Sequence, residues 1–502
     1  MAAVSKTMFP LQNSIRNITN MKIRFDELQL QFASGEKAAN LGEMGTDRYF
    51  SLATRSRISR LDAYGENIKT LDLRLSVLDT TMTRLDALES EARGAITPGN
   101  HGSSDINFET APRIAVSRLD EVMTLLNVDV AGRYSFGGSK TESKPVVSTL
   151  AALEGEGGRA GFRTVVGERK LADLGADARG RTVVTTATNT STLAEDGDHP
   201  FGFKLSNLST SSADITVTGP SATQPRDLSV SFTTGALPVA GQTVTIGLTL
   251  PDGTEDQIML TATTGTPGPG EFQIGADGDA TAANFSTALG TALEELGNSV
   301  LVSASAYAAA DNFFNSQGEQ VLRVDGPPFE TATGLVAGTA ADTVLWYTGE
   351  DSADPRSTVT SKVGDGTTVR YGVQANEIGI TQLIRTLAAQ SVQTYSSADP
   401  TASARFDAMA GRSIDRLSEA KNGTPGSIEV VSVELGLAKN TAATIGERHV
   451  DHKAQLKNML QDIEGVNTEQ VAMEILALKT RLEASYQTTA LLSELSLVNY
   501  VR

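Results

Sequence analysis

The side chains able to do chemistry are few. In 502 residues there are four histidines, His101, His199, His449 and His452, and no cysteine. A chain without thiols has no disulfide scaffold, no thiol nucleophile and no Cys-based metal or iron–sulfur site. The densest grouping is Glu447-Arg448-His449-Val450-Asp451-His452. Its two histidines are three residues apart and share a helix face, with Glu447 nearby. Zinc would want a further ligand and a supporting shell there, so the run reads as a charged, solvated helix face. Gly155-Glu156-Gly157-Gly158 has no strand before it and no Lys-Ser/Thr after it, so it reads as a surface loop and not as a phosphate loop. Asp277-Gly278-Asp279 lacks the later Glu of a calcium loop. It reads as the turn that caps a helix at 281–296. Trp346 is the one tryptophan and aromatics make up 5% of the chain, a slight stacking platform for a glycan. No catalytic residue, cofactor or metal is expected, and the composition points away from an enzyme.

Charge narrows the partners. The net charge of −18 opposes nucleic acid, whose phosphates need a basic stripe. No apolar run reaches about 18 residues, so no membrane insertion is expected. The N-terminus shows no apolar core of a secretory signal. The acidity is uneven: residues 1–140 balance to zero, 371–502 carry −3, and the middle carries the remaining −15. Acidic surface keeps a protein soluble and self-repelling. The middle is therefore expected to face water and the ends to pack together.

The ends are helical by periodicity. Ser14, Ile18, Met21, Phe25, Leu28 and Phe32 recur in steps of three and four, widened by Leu11 and Ile15, and Ser34-Gly35 stops the pattern. Leu61, Tyr64, Ile68, Leu71, Leu75, Leu78, Met82 and Leu85 form a longer seam. Thr97-Pro98-Gly99-Asn100 ends it, and a third helix is predicted over 112–128. Toward the C-terminus, helices are expected within 371–395 and 403–420. From 428 onward there is no proline, and the stripe Val471, Ile475, Leu478, Leu482 continues through Tyr486, Leu491, Leu495 and Val498.

The middle alternates in twos. Leu228-x-Val230-x-Phe232 and Val244-x-Ile246-x-Leu248-x-Leu250 read as strands, with Asp252-Gly253 in a turn and Ile258-x-Leu260-x-Ala262 as the pairing strand. Val300-x-Val302 and Val321-Leu322-x-Val324 read as further strands after the helix at 281–296. The fold class expected is α+β: a long antiparallel α-helical coiled-coil bundle from the N- and C-terminal segments, with a β-rich central insert. Its parts are a terminal helix and loop (1–45), a helical rod (46–142), a small β subdomain (143–215), a β-rich subdomain with one helix (216–368), the returning rod (369–455) and a C-terminal helix (456–502).

Particular residues carry a family resemblance. Residues 55–93 resemble the N-terminal region of bacterial flagellins and of the related hook–filament junction proteins. Residues 471–502 resemble the C-terminal region, with Leu482, Ala484, Ser485 and Tyr486 in the Leu-x-Ala-Ser-Tyr pattern. Asn127 with Gly132-Arg133-Tyr134-Ser135-Phe136-Gly137-Gly138 is similar to a turn common in the junction branch, and Tyr371-Gly372-Val373-Gln374-Ala375-Asn376-Glu377 has a similar flavour. The resemblance spans 1–140 and 371–502. In place of the family's Asp-Asp-Ala-Ala-Gly after the Ser-Gly turn, this chain has Lys37-Ala38-Ala39-Asn40-Leu41-Gly42.

The resemblance implies a structural subunit of the flagellum that polymerises with copies of itself, either along the filament or at the hook–filament junction. It implies export through the flagellar type III apparatus with a chaperone, contact with hook-associated and cap proteins, and an extracellular location. The expected self-assembly residues are Leu11, Ile15, Ile18, Met21, Phe25, Leu61, Leu78, Ile475, Leu478, Leu482, Tyr486, Leu491, Leu495 and Val498. On this reading 146–368 is dispensable for polymerisation. The alternative of another class is a glycan- or surface-binding module carried on a helical stalk.

Overall fold

The computed structural model describes the backbone of residues 8–99, 101, 108–233, 235–315 and 320–498, and their side chains except at 8–11 and 492–498. Helix and sheet are mixed, as an α+β chain requires. The chain separates into two compact units: residues 1–72, 361–369 and 440–502, and residues 73–360 with 370–439. Of the four boundaries in the chain, two fall inside long helices and two inside the short strands 360–362 and 368–370.

The first unit holds α1 (Met8–Ser34), the first half of α2 (Asp47–Ala95), the second half of α10 (Ile428–Glu464) and α11 (Thr468–Val498). Helix α1 stops where predicted, because Gly35 takes a φ of 71° and leaves the helix in the left-handed region that glycine favours. The C-terminal apolar stretch is broken once. Gly465 accepts no further helical turn, and its neighbour Val466 donates instead to the Gly35 carbonyl at 3.0 Å.

The second unit opens with the rest of α2, whose Leu75, Leu78, Met82, Leu85 and Leu88 are buried. From Leu71 to Leu85 the seam read in the sequence is therefore core, while Leu61, Tyr64 and Ile68 before it are half-buried. Helix α3 (Ala111–Leu126) follows with Ala115, Leu119, Val122 and Leu126 on its buried face. The insert begins with two short pairs, β1 (Asp129–Val130) with β2 (Arg133–Tyr134), and β3 (Gly155–Glu156) with β4 (Arg159–Ala160), the latter following α4 (Thr149–Glu154). Gly157 and Gly158 both have positive φ, so the glycine run is a tight hairpin turn. After α5 (Phe162–Leu174) come β5 (Thr182–Ala187), β6 (Thr190–Glu195), β7 (Lys204–Thr210), β8 (Ile215–Thr218), β9 (Asp227–Phe232), β10 (Thr243–Thr249), β11 (Glu255–Thr263) and β12 (Glu271–Gln273).

These eight strands form two sheets, ordered β12-β11-β10-β7 and β5-β6-β9-β8. The predicted pairing is present: Val244 lies opposite Leu260 and Ile246 opposite Ile258. Alternate residues of β9 and β10 point into one core with Phe285, Leu289 and Leu293 of α6 (Gly278–Leu296). Phe232, Phe272 and Phe285 meet there with ring centroids 5.2–5.8 Å apart. The Asp277 side chain caps α6 by accepting from the Ala280 amide, as the sequence suggests.

The sequence misleads at Val300-x-Val302. A π-turn (Gly297–Leu301) continues α6, and α7 (Val302–Phe313) follows directly. Two alternating valines carry no strand when the residues after them are Ser-Ala-Ser-Ala-Tyr-Ala-Ala-Ala, a run small enough to be buried on nearly every side of a helix. Gly297 permits the approach: a Cβ there would lie 2.1 Å from the Ala178 carbonyl oxygen.

Two further pairs, β13 (Leu322–Val324) with β14 (Leu335–Ala337) and β15 (Thr360–Lys362) with β16 (Thr368–Arg370), lead to α8 (Ile378–Ser391), α9 (Ala402–Arg416) and α10. Helix α7 ties the insert to these returning helices. Tyr307 Oη lies 2.9 Å from Ser413 Oγ, Ser303 Oγ donates to the Arg405 carbonyl at 3.1 Å, and Arg385 donates to the Phe314 carbonyl at 2.8 Å. Residues 303–314 of the insert thus bond directly to α8 and α9.

Candidate assembly surface

In the first unit α1 and α11 lie antiparallel. The Gly35 carbonyl meets Val466 at one end, and further along Arg24 approaches Glu474 at 3.8 Å. The face of α1 bearing Ile18, Met21, Phe25 and Leu28 is half-buried to buried, as is the face of α11 bearing Val471, Ile475, Leu478 and Leu482. These are the stripes that periodicity identifies, and they are used within the chain.

Each helix has a second apolar stripe. At about 100° per residue, Ile15, Ile23 and Leu30 fall on the side of α1 away from its packed face. All three are more than half exposed. On α11 the steps from Met473 to Leu476, Thr480, Ala484 and Leu491 mark the opposite side, with Met473 64%, Leu476 65% and Leu491 59% exposed. In the second unit α10 repeats the pattern: Val431, Leu435 and Ala438 are buried while Val433 and Leu437 stand out to solvent. Tyr49, Phe50 and Leu52 add an exposed apolar group to the first turns of α2.

The predicted assembly residues therefore divide. Ile15, Tyr486 and Leu491 are exposed; Ile18, Met21, Phe25, Leu61, Ile475 and Leu478 are half-buried. Leu78 and Leu482 are buried within the chain, 2% and 8% exposed. The side chains of Leu11, Leu495 and Val498 lie outside the described residues. Sequence reasoning missed Ile23, Leu30, Met473, Leu476, Val433 and Leu437. It followed one stripe per helix, and the signal that finds them is a second apolar set out of phase with the first.

A polar clamp fixes the hairpin. The Lys37 amide donates to the Glu464 carbonyl at 2.7 Å, and its Nζ caps α10 through the carbonyls of Asp462 and Ile463 at 3.0 and 2.8 Å. Arg55 donates from Nε and Nη2 to the two oxygens of Glu464, at 2.8 and 2.6 Å, and Ser51 donates to the same carboxylate. These bonds from Arg55 and Ser51 hold Glu464 below the usual carboxylate range against the opposing pull of burial. The clamp is thus intact above the ordinary glutamate range and lost as pH falls through the depressed value. Glu464→Ala is expected to cost about 1–2 kcal/mol, reduced from a fully buried charged bond because Arg55 is half exposed. Faster amide exchange at 35–37 and 465–466 would register it.

The histidine cluster does other work. His449 Nε2 lies 2.6 Å from the Val363 carbonyl, and its ring stacks on Tyr64 at 5.8 Å. Tyr64 in turn donates to Asp365 at 2.8 Å. His449 thus holds the tip of the β15–β16 hairpin. Among the described residues no group of His, Asp and Glu has the geometry of a metal site.

In the second unit the two motifs quoted for the junction branch meet. Gly137 and Gln374 form an antiparallel bridge, Ala375 donates to the Phe136 carbonyl at 2.9 Å, and Gly138 donates to the Val373 carbonyl at 3.1 Å. Phe136 is fully buried beneath them. A Cβ on Gly137 would lie 2.5 Å from the Lys140 carbonyl oxygen, which is why glycine stands there. Arg356 closes the second motif, pairing with Glu377 and, at 2.9 Å, with Glu434. No known family model matches the chain, and no curated protein matches it.

Proposed function

We propose that the chain is a structural subunit of the bacterial flagellum that assembles with copies of itself into the extracellular filament used for swimming. One observation carries the reading: α1, α11 and α10 each have an apolar stripe left uncovered opposite the one used within the chain. A helix apolar on opposite sides is a helix meant to be buried. Each large apolar side chain buried there contributes about 1.5–3 kcal/mol, and several per copy suffice to offset the entropy of association. Residues 55–93 and 471–502 supply the kind of assembly through their resemblance to flagellins. The reading includes the finer architecture, an antiparallel coiled-coil bundle of both termini, and the partners named above: hook-associated and cap proteins, the export apparatus and a chaperone. It gives the chain no catalytic role.

A second position in the same organelle, the hook–filament junction, is favoured by a separate observation. The two motifs similar to that branch, 132–138 and 371–377, are far apart in sequence yet bond to one another as a single module.

Concentration-dependent sedimentation and negative-stain microscopy test the reading. The full chain should form filaments or ordered oligomers, and removal of 1–45 and 460–502 should abolish them. Assembly that survives the truncation overturns it. Immunolabelling of purified flagella then separates the two positions: label along the whole filament marks the filament subunit, and a single band near the hook marks the junction.

A further inference from the structure

Glu89 of α2 sits in the second unit with no hydrogen bond or ion pair to it among the described residues. It lines a cavity of about 400 Å³ together with Ile378, Gln382, Arg416, Lys421 and Glu429. Glu429 lies in the first turn of α10. Two carboxylates therefore face one cavity where α2, α8 and α10 converge. The contact leaves little slack. Gly379 at the start of α8 donates to the Gly426 carbonyl at 2.9 Å, and a Cβ on Gly379 would lie 2.6 Å from the Ile428 amide nitrogen.

We infer that Glu89 and Glu429 form a proton-controlled latch across this cavity, which leaves the first turn of α10 seated against α2 while Glu89 is neutral and loosens it when both carboxylates are ionised and repel.

The charges around the pair favour this. Arg93 is engaged by the Leu417 carbonyl at 3.1 Å and by Glu419 at 2.6 Å. Arg416 is engaged by both oxygens of Asp311, at 2.7 and 2.8 Å. Lys421 stands at the exposed rim, and Asp86 adds negative charge. Neither arginine is free to neutralise a second carboxylate. Burial, then Glu429 and Asp86, push Glu89 up to about 7, with Arg93 opposing. An acid whose folded value is raised stabilises the fold at low pH. That contribution declines between about 4.5, its ordinary value, and about 7, and is level above.

Thermal unfolding of the full chain from pH 5 to pH 8 tests the latch in the natural sequence, in Glu89→Gln, in Glu429→Gln and in Glu66→Gln, an exposed control. The unfolding constant of the natural chain should rise about tenfold or more over that range relative to Glu89→Gln, one pKa unit being a factor of ten. Glu66→Gln should follow the natural chain, and Glu429→Gln should move the fall in stability to lower pH. Amide exchange at 427–434 should quicken with pH beyond its intrinsic rate in the natural chain and not in Glu89→Gln. Parallel pH profiles for the natural chain and Glu89→Gln would overturn the inference, as would unchanged protection at 427–434.

Discussion

Replacing Leu476 by aspartate is expected to abolish assembly while leaving the isolated chain folded as before. Leu476 is 65% exposed on the uncovered side of α11, so within one copy the new carboxylate stays in water and costs little. Against an apolar neighbour the same carboxylate would be desolvated without a partner, at a cost of several kcal/mol. That exceeds what one leucine contributes by burial, and a polymer repeats the penalty at every subunit. Leu482→Asp is the informative contrast. Leu482 is 8% exposed, on the side of α11 that packs within the chain, so its substitution should unpack α1 from α11 even in dilute monomer. Sedimentation velocity combined with helical circular dichroism separates the two outcomes. If Leu476→Asp assembles normally, the uncovered stripe of α11 is not an interface.

The second large effect lies at the turn after β10. The Asp252 side chain has no solvent exposure and meets Arg412 of α9 at 2.8 Å, while Arg412 also donates to Thr254 at 2.9 Å. Burial pushes Asp252 up, but the Arg412 charge and the Thr254 bonds overcome it and hold the carboxyl below its usual range. Arg412→Ala strands a buried carboxylate and is expected to cost about 3–5 kcal/mol. For a unit of this size that is a fall in Tm on the order of 10 °C. The sign with pH is diagnostic. In the natural chain the pair stabilises above the ordinary aspartate range and is lost as pH falls. In Arg412→Ala the defect should shrink at low pH, where Asp252 protonates. Adding Asp252→Asn to Arg412→Met should recover part of the loss, and the double-mutant cycle gives the coupling. A Tm unchanged in Arg412→Ala would show that α9 does not depend on the insert.

Much of the secondary structure is legible because local rules decide it. Gly35 ends α1, Asp277 caps α6, and the alternation 244–250 with Asp252-Gly253 fixes a hairpin in its observed register. Periodicity also identifies which face of each long helix is apolar. It is silent on whether that face is filled by the same chain, as it is at Leu78 and Leu482, which are buried. The alternation at Val300-x-Val302 fails for the complementary reason. Two residues of pattern weigh little against a small-residue run that three neighbouring helices can enclose.

The sequence by itself determined where α1 stops and where α6 is capped, which strands pair across Asp252-Gly253, and that the acidity belongs to the middle, because each follows from residue type and spacing over a few neighbours. Only the tertiary structure decided which apolar stripes are spent inside the chain and which stay uncovered. It alone joined 132–138 to 371–377, α7 to α8 and α9, and Glu89 to Glu429 across one cavity. Those relations hold between residues hundreds of positions apart, and burial is a property of the packed chain rather than of any segment in it.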